Sequence, residues 1–163
     1  MGVSGCGKSS VAVKLSEEYG IPFIEGDDLH PQENIDKMSR GEALNDNDRW
    51  PWLTTCADAM NLRKGSGYVI TCSALKKRYR DHIRESTDHS FQIIYLKGSM
   101  EVIKERMSTR KNHFMPTALL QSQFDALEIP QDALHVDINN PIDTITEEIK
   151  TLVIEVEKKM SPS

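Results

Sequence analysis

A chain of 163 residues with 38% hydrophobic side chains has the length of one domain with a full core. Its formal net charge of -5 argues against a nucleic-acid-binding surface, where phosphate contacts dominate affinity, yet allows an anionic small ligand held by a local cluster of cations. No apolar run approaches a membrane span and no signal-peptide pattern opens the chain. The cysteines Cys6, Cys56 and Cys72 are widely spaced and suit reduced thiols better than a disulfide framework or a zinc site, so a soluble, cytoplasmic protein is expected.

The first element carries the strongest chemical signal. Residues 2–9 read G-x-x-x-x-G-K-S, the phosphate-binding P-loop. In such a loop the backbone N–H groups of Gly2, Val3, Ser4, Gly5, Cys6 and Gly7 curl around phosphate oxygens. Lys8 reaches the β- and γ-phosphates, and the Ser9 hydroxyl ligates Mg²⁺. Cys6 lies beside a helix N-terminus and Lys8, both of which lower a thiol pKa; it is either oxidation-sensitive or a tolerated small residue. A helix over 7–19 follows, stopped by Gly20, with its positive end aimed at the same anion. A P-loop normally follows a buried strand, and only Met1 precedes Gly2. The expectation is therefore a sheet short of its first strand, unless the polypeptide starts upstream.

Next come a short strand at 21–24 and an acidic turn containing Glu25, Asp27 and Asp28. A helix over 31–39 is opened by Pro31, and a longer one is capped by Asp46 or Asn47 and runs to about Lys64. Residues 68–72 form an apolar run fit for a buried parallel strand. Leu75, Tyr79 and Ile83 then recur every four residues on a helix. A strand at 91–96, a helix over 99–110 and a basic stretch at 109–113 precede a helix started by Pro116. A strand at 134–138 and a helix over 141–158 end the chain, with a frayed tail from about Lys159. Strands alternating with helices predict an α/β fold: a parallel sheet flanked by helices in three layers, as one P-loop kinase domain over 1–163 with no linker.

Several segments fall where ligands bind in such folds, at the C-terminal ends of the strands. Phosphoryl transfer needs one carboxylate to orient or deprotonate the attacking hydroxyl and another to hold Mg²⁺, often through water. The acidic residues Glu25, Asp27 and Asp28 are the candidates for that pair; a solvated acidic turn is the alternative reading of this segment alone. Arg49 either belongs to a helix start or clamps an anionic substrate with its planar fork. Ser73 follows the strand at 68–72 into the cleft. Lys76 and Arg80 share a helix face; this is either a solvated basic face or part of the pocket, with Lys76 better placed. Arg106 and Arg110 likewise lie four apart, at a helix end where the dipole favours cations and where a kinase lid would carry arginines.

Taken together these segments resemble the gluconokinases, sugar-acid kinases of the shikimate-kinase-like group. The resemblance covers nearly the whole chain. It rests on M-G-V-S-G-x-G-K-S at 1–9, G-D-x-L-H-P at 26–31, L-N-D-x-D-R-x-P-W-L at 44–53 and C-S-A-L-K-K-x-Y-R-D at 72–81. It continues in I-Y-L-K-G at 94–98, H-F-M-P at 113–116 and L-L-x-S-Q-F-x-x-L-E at 119–128. It implies ATP-dependent phosphorylation of D-gluconate at its 6-hydroxyl, with Mg²⁺. Lys8, Asp27 and Arg110 take the catalytic roles, and Asp27 contacts the accepting hydroxyl. Residues 2–9 with Ser10, Arg106 and Arg110 bind nucleotide, under a lid around 106–116, with the adenine flanked by 137–141. His30, Arg49, Ser73, Lys76 and Arg80 join Asp27 around gluconate. Glu25 stands where many relatives carry Asp and would reach the metal through water. Homodimers are common in the group, whereas nucleic-acid and membrane partners are not expected. Two alternatives remain open at this point: a kinase for another small hydroxy acid such as shikimate, and a nucleotide-binding relative without turnover.

Overall fold

A computed structural model describes residues 1–109 and 118–161. Helix α1 (Lys8–Tyr19) leads to strand β1 (Phe23–Glu25), a 3-10 turn (Gly26–Leu29) and helices α2 (Gln32–Ser39) and α3 (Asp46–Asn61). Strand β2 (Val69–Thr71), helix α4 (Lys77–Ser86), strand β3 (Ile94–Lys97) and helix α5 (Met100–Ser108) follow. Helix α6 (Ala118–Ala126), strand β4 (Leu134–Asp137) and helix α7 (Ile142–Met160) complete the described elements.

Local chemistry sets the helix limits. Gly20 ends α1 in the left-handed conformation, φ 64°. The N-terminus of α3 is capped by Asn45, not by Asp46 or Asn47. The Asn45 side chain accepts from the Asp48 amide, and the Asp48 carboxylate accepts from the Asn45 amide, each at 2.8 Å. This reciprocal box satisfies two donors that a helix start otherwise leaves orphaned. The helix expected to fray from Lys159 remains helical to Met160.

The pairings are parallel, as the alternation of elements predicts. In β1 and β2, Phe23, Ile24 and Glu25 face Val69, Ile70 and Thr71; in β3 and β4, Ile94 to Lys97 face Leu134 to Asp137. Successive strand residues point to opposite faces. Val69 accordingly packs into the cluster containing Val11, Leu15 and Ile149 of α1 and α7, while Ile70 packs against Trp52, Cys56 and Tyr79 of α3 and α4. Those two clusters are the interfaces of a three-layer arrangement. Trp52, Leu53, Tyr79 and Leu75 are all 2% exposed or less, and each fully buried large side chain contributes about 1.5–3 kcal/mol.

Between the two strand pairs lies the backbone of Met1 and Gly2. The Met1 amine donates to Ile94 O at 2.6 Å, Leu96 N donates to Met1 O at 3.0 Å, and Gly2 N donates to Ser73 O at 3.4 Å. Burial lowers the Met1 amine pKa to about 6. Beyond this bridge β2 and β3 do not pair, and a cavity of about 570 Å³ separates them, lined by side chains such as Leu15, Ile70, Ile94 and Ile149. The described strands thus form two two-stranded ladders, joined by Met1 at Ile94 and Leu96 of β3 and by Gly2 at Ser73, two residues past β2.

Candidate active site

The P-loop is formed as its spacing requires. Gly7, immediately before α1, has φ 97°, a conformation that a side chain would strain. Lys8 Nζ folds back over the loop and donates to the carbonyls of Gly2 and Val3, each at 3.0 Å. Val3 and Cys6 are buried beneath the loop, and Ser10 is exposed on the first turn of α1. The Ser4 amide donates to the side-chain oxygen of Gln123, on α6, at 2.6 Å. An uncharged side-chain oxygen thus holds a loop N–H of the kind that serves phosphate oxygens in such loops.

Ser9 lies next to β1. Its hydroxyl donates to Glu25 Oε2 at 2.5 Å, while Thr71 on β2 donates to Glu25 Oε1 at 2.6 Å. Gly26 then passes so close to β2 that a Cβ there would sit 1.9 Å from Thr71 O, so no larger residue fits. That close approach lets the chain turn into the short helix carrying Asp27.

A pocket adjoining the P-loop gathers Lys8, Asp27, His30, Arg49 and Ser73. His30 stacks on Trp52 with ring centroids 4.0 Å apart, and the Trp52 indole donates to Gly26 O at 2.7 Å. The buried amide of Asn34 bridges His30 Nδ1 and Asp48 O. Burial, and secondarily the Arg49 charge, lower the His30 pKa to about 4, so the ring is neutral at pH 7. Arg49 donates to Leu44 O at 2.6 Å and to the Tyr79 hydroxyl at 3.1 Å, with its guanidinium 5.1 Å from the Tyr79 ring centroid. Tyr79 in turn donates to Asp46 at 2.5 Å, so α4 supports the start of α3 and the arginine it carries.

Arg80 does not belong to this pocket. It is 3% exposed, and its guanidinium donates to the carbonyls of Ala74, Leu75 and Glu128 at 2.8, 3.1 and 3.0 Å. Ala74 has φ 45°, a left-handed conformation uncommon outside glycine and costing about 1–3 kcal/mol. Arg80 ties down the carbonyl of this strained residue, which directly follows Ser73. The substrate-binding expectation for Arg80 is replaced by a scaffolding role, because i, i+4 spacing with Lys76 cannot show which of the two turns inward. Lys76 stays near the surface, its ammonium 5.9 Å from the Tyr79 ring centroid. Arg106 donates to Ile138 O, which joins α5 to the segment after β4. Arg110 and most of the lid around 106–116 lie outside the described residues.

One wall of the pocket was quoted among the motifs without being assigned a role. Leu119, Ser122 and Gln123 of α6 complete its lining. Ser122 and Gln123 follow the buried Leu119 by three and four residues, hence on the same helix face. Two polar residues on an otherwise inward face were the available signal. The end of this helix is anchored to the Ser73 turn: Glu128 N donates to Leu75 O at 2.8 Å, and Glu128 Oε1 accepts from Lys77 N at 3.0 Å.

Comparison with known proteins agrees with this geometry. A family model described as an AAA domain matches residues 1–130. The chain is 45% identical to the thermosensitive gluconokinase of Escherichia coli strain K12 over 163 residues, 96% of this chain and 86% of that protein. Among solved structures, a gluconokinase from Sinorhizobium meliloti 1021 superposes with a TM-score of 0.82 at 45% identity, covering 99% of this chain and 95% of that one. A sugar kinase from Janibacter sp. HTCC2649 does so with a TM-score of 0.85 at 46% identity, covering 93% and 90% respectively.

Proposed function

Since the chain belongs to the gluconokinase family, we propose that it transfers the γ-phosphoryl group of ATP to the 6-hydroxyl of D-gluconate, releasing ADP and 6-phosphogluconate. The observation that supports this reading is one pocket lined together by the P-loop lysine, Lys8, and by Asp27 and Arg49. That arrangement sets a phosphate cradle, a proton acceptor and a carboxylate clamp around one space.

The P-loop amides and the N-terminus of α1 hold the β-phosphate. Lys8 leaves the Gly2 and Val3 carbonyls for the phosphate oxygens and neutralises charge that develops on transfer. Asp27 orients the 6-hydroxyl and takes its proton as the oxygen attacks phosphorus. Arg49 binds the gluconate carboxylate at the far end, its remaining N–H donors free of the Leu44 and Tyr79 bonds. Neutral His30, Ser73 and Ser122 offer hydrogen bonds to the sugar hydroxyls between these ends. Arg106 and Arg110 close over the nucleotide with the lid, and Lys76 adds positive potential at the pocket rim.

The Ser9 hydroxyl and Glu25 Oε2 lie 2.5 Å apart, two hard oxygen donors of the kind that suits a cation such as Mg²⁺. They would hold the ion beside the phosphates, Glu25 through water, and the ion would supply further charge neutralisation. Among the described residues no helix is long and apolar enough to cross a membrane, and all three cysteines are free; both fit a cytoplasmic enzyme.

Asp27 provides the direct test. Asp27→Asn keeps the shape of the side chain but removes its basicity, and is expected to lower kcat by about 10²–10⁴-fold with ATP affinity within about threefold of wild type. Loss confined to ATP binding, with kcat retained, would remove Asp27 from the proton-transfer role.

A further inference from the structure

One buried polar side chain behind the acceptor pocket takes no part in the mechanism above. Asn34, on α2, is 3% exposed. Its amide nitrogen lies 3.1 Å from His30 Nδ1 and 2.9 Å from the backbone oxygen of Asp48. Asp48 is itself held in place. Its carboxylate accepts from Lys37 of α2 at 2.7 Å and from the Asn45 amide at 2.8 Å, so the start of α3 offers Asn34 a fixed carbonyl.

These contacts determine where the protons are. A backbone carbonyl only accepts, so the Asn34 group that meets Asp48 O is the NH₂ and not the amide oxygen. The second hydrogen of that NH₂ is then available to His30 Nδ1. Nδ1 therefore presents a lone pair. The ring is neutral at pH 7, because burial lowers its pKa to about 4, and a neutral imidazole carries one proton. That proton sits on Nε2.

The ring's orientation needs the same bond. His30 stacks on Trp52 with centroids 4.0 Å apart and planes 16° apart, and Trp52 is anchored by its indole bond to Gly26 O at 2.7 Å. Stacking fixes the plane of the imidazole but not which edge faces α2. A half-turn about χ2 keeps the stack and exchanges both nitrogens with ring carbons. The bond from Asn34 distinguishes the two orientations, and it turns Nδ1 toward α2. His30 lines the acceptor pocket, so Nε2–H is the polar group it offers there.

We infer that Asn34 is a positioning residue for acceptor recognition: it holds His30 in one orientation and in the Nε2–H form, so that the ring donates a hydrogen bond to a hydroxyl oxygen of the acceptor. The ligand chemistry follows from that direction. Arg49 takes the carboxylate, and His30 needs a group with a lone pair. A hydroxyl supplies one and keeps its own proton for another partner, whereas a donor-only group such as an ammonium meets an N–H that has nothing to bond.

The kinetic half of this inference rests on the gluconate-kinase reading; the proton's position does not. Long-range proton–nitrogen correlation spectra are recorded at pH 7 on the 163-residue chain carrying nitrogen-15 histidine, with the His30 signals identified by their loss in His30→Ala. The expected spectrum has Nδ1 at the shift of a bare nitrogen and Nε2 at that of an N–H. In Asn34→Ala the two shifts should move toward each other as the ring samples both tautomers. In parallel, Asn34→Ala should lower kcat/KM for gluconate by about tenfold and leave KM for ATP within about twofold. Made in the His30→Ala background, the same substitution should change kcat/KM by less than about threefold, because its effect passes through the ring. Should Asn34→Ala fold poorly, the spectrum of the unaltered chain still decides. A protonated Nδ1 in that spectrum would overturn the inference, as would a loss of equal size with and without His30. Failure of the unaltered chain to phosphorylate gluconate would instead strike the substrate reading alone.

Discussion

Arg49 shows what a single residue carries in this molecule. Its bonds to Leu44 O and the Tyr79 hydroxyl fix the fork in direction without pairing it to a carboxylate. A charge-assisted bond to a ligand contributes about 1.5–3 kcal/mol. Arg49→Ala should therefore raise KM for gluconate by about tenfold to a hundredfold and leave KM for ATP within about twofold, read from initial rates with each substrate varied. His30 makes a second point. Its folded pKa of about 4 lies below the ordinary histidine value of 6.5, so the unfolded chain binds more protons between those values. Its contribution to stability is complete above about pH 6.5 and is lost as pH falls toward 4. Melting temperatures between pH 7 and pH 4.5 should drop less steeply in His30→Gln than in the unaltered chain. Arg80 marks the limit of reading charges from spacing. Lys76 and Arg80 have the same sign and helical separation in the sequence, yet Arg80 is spent on three backbone carbonyls. Only the strained Ala74 turn, which no residue type announces, explains the choice.

At the scale of elements, the sequence was read correctly wherever two local signals agreed. Gly20 together with the spacing of Val11 and Leu15 delimits α1, and the alternation of strands and helices predicts the parallel ladders. The cap of α3 was misplaced by one or two residues because Asp46, Asn47 and Asn45 are all competent caps; the reciprocal bond to Asp48 selects Asn45. Strand β3 begins at Ile94, where its register with Leu134 of β4 starts, later than its apolar run suggests. The polar wall of α6 was legible only as a motif and not as a surface, because its partner, the P-loop amide of Ser4, is far away in sequence. Two changes test these elements. Asn45→Ala should cost about 1 kcal/mol in denaturant unfolding through loss of the cap. Arg80→Met should destabilise the fold by about 3 kcal/mol, the remaining folded enzyme keeping its KM for gluconate; a selective rise in that KM would return Arg80 to the pocket.

For the whole molecule, the site depends on three layers meeting at one edge. The P-loop comes from the centre, Asp27 and Ser73 from the ends of β1 and β2, Arg49 and Trp52 from α3, and Gln123 from α6. The sequence carried this convergence because ligands of parallel sheets gather at the strands' C-terminal ends. It did not carry the cavity between β2 and β3. How Met1 and Gly2 stitch the ladders together is a property of packing. That stitch adjoins the P-loop, and the candidate site residues gather beside it even though β2 and β3 stay apart.

The most direct measurement is ADP release by the purified chain with Mg²⁺ and ATP, comparing D-gluconate, shikimate and no acceptor at one enzyme concentration. The account predicts turnover that depends on gluconate and is near background with shikimate or with no acceptor. ADP release that is equal across the three, or absent with gluconate while ATP still binds, would contradict it.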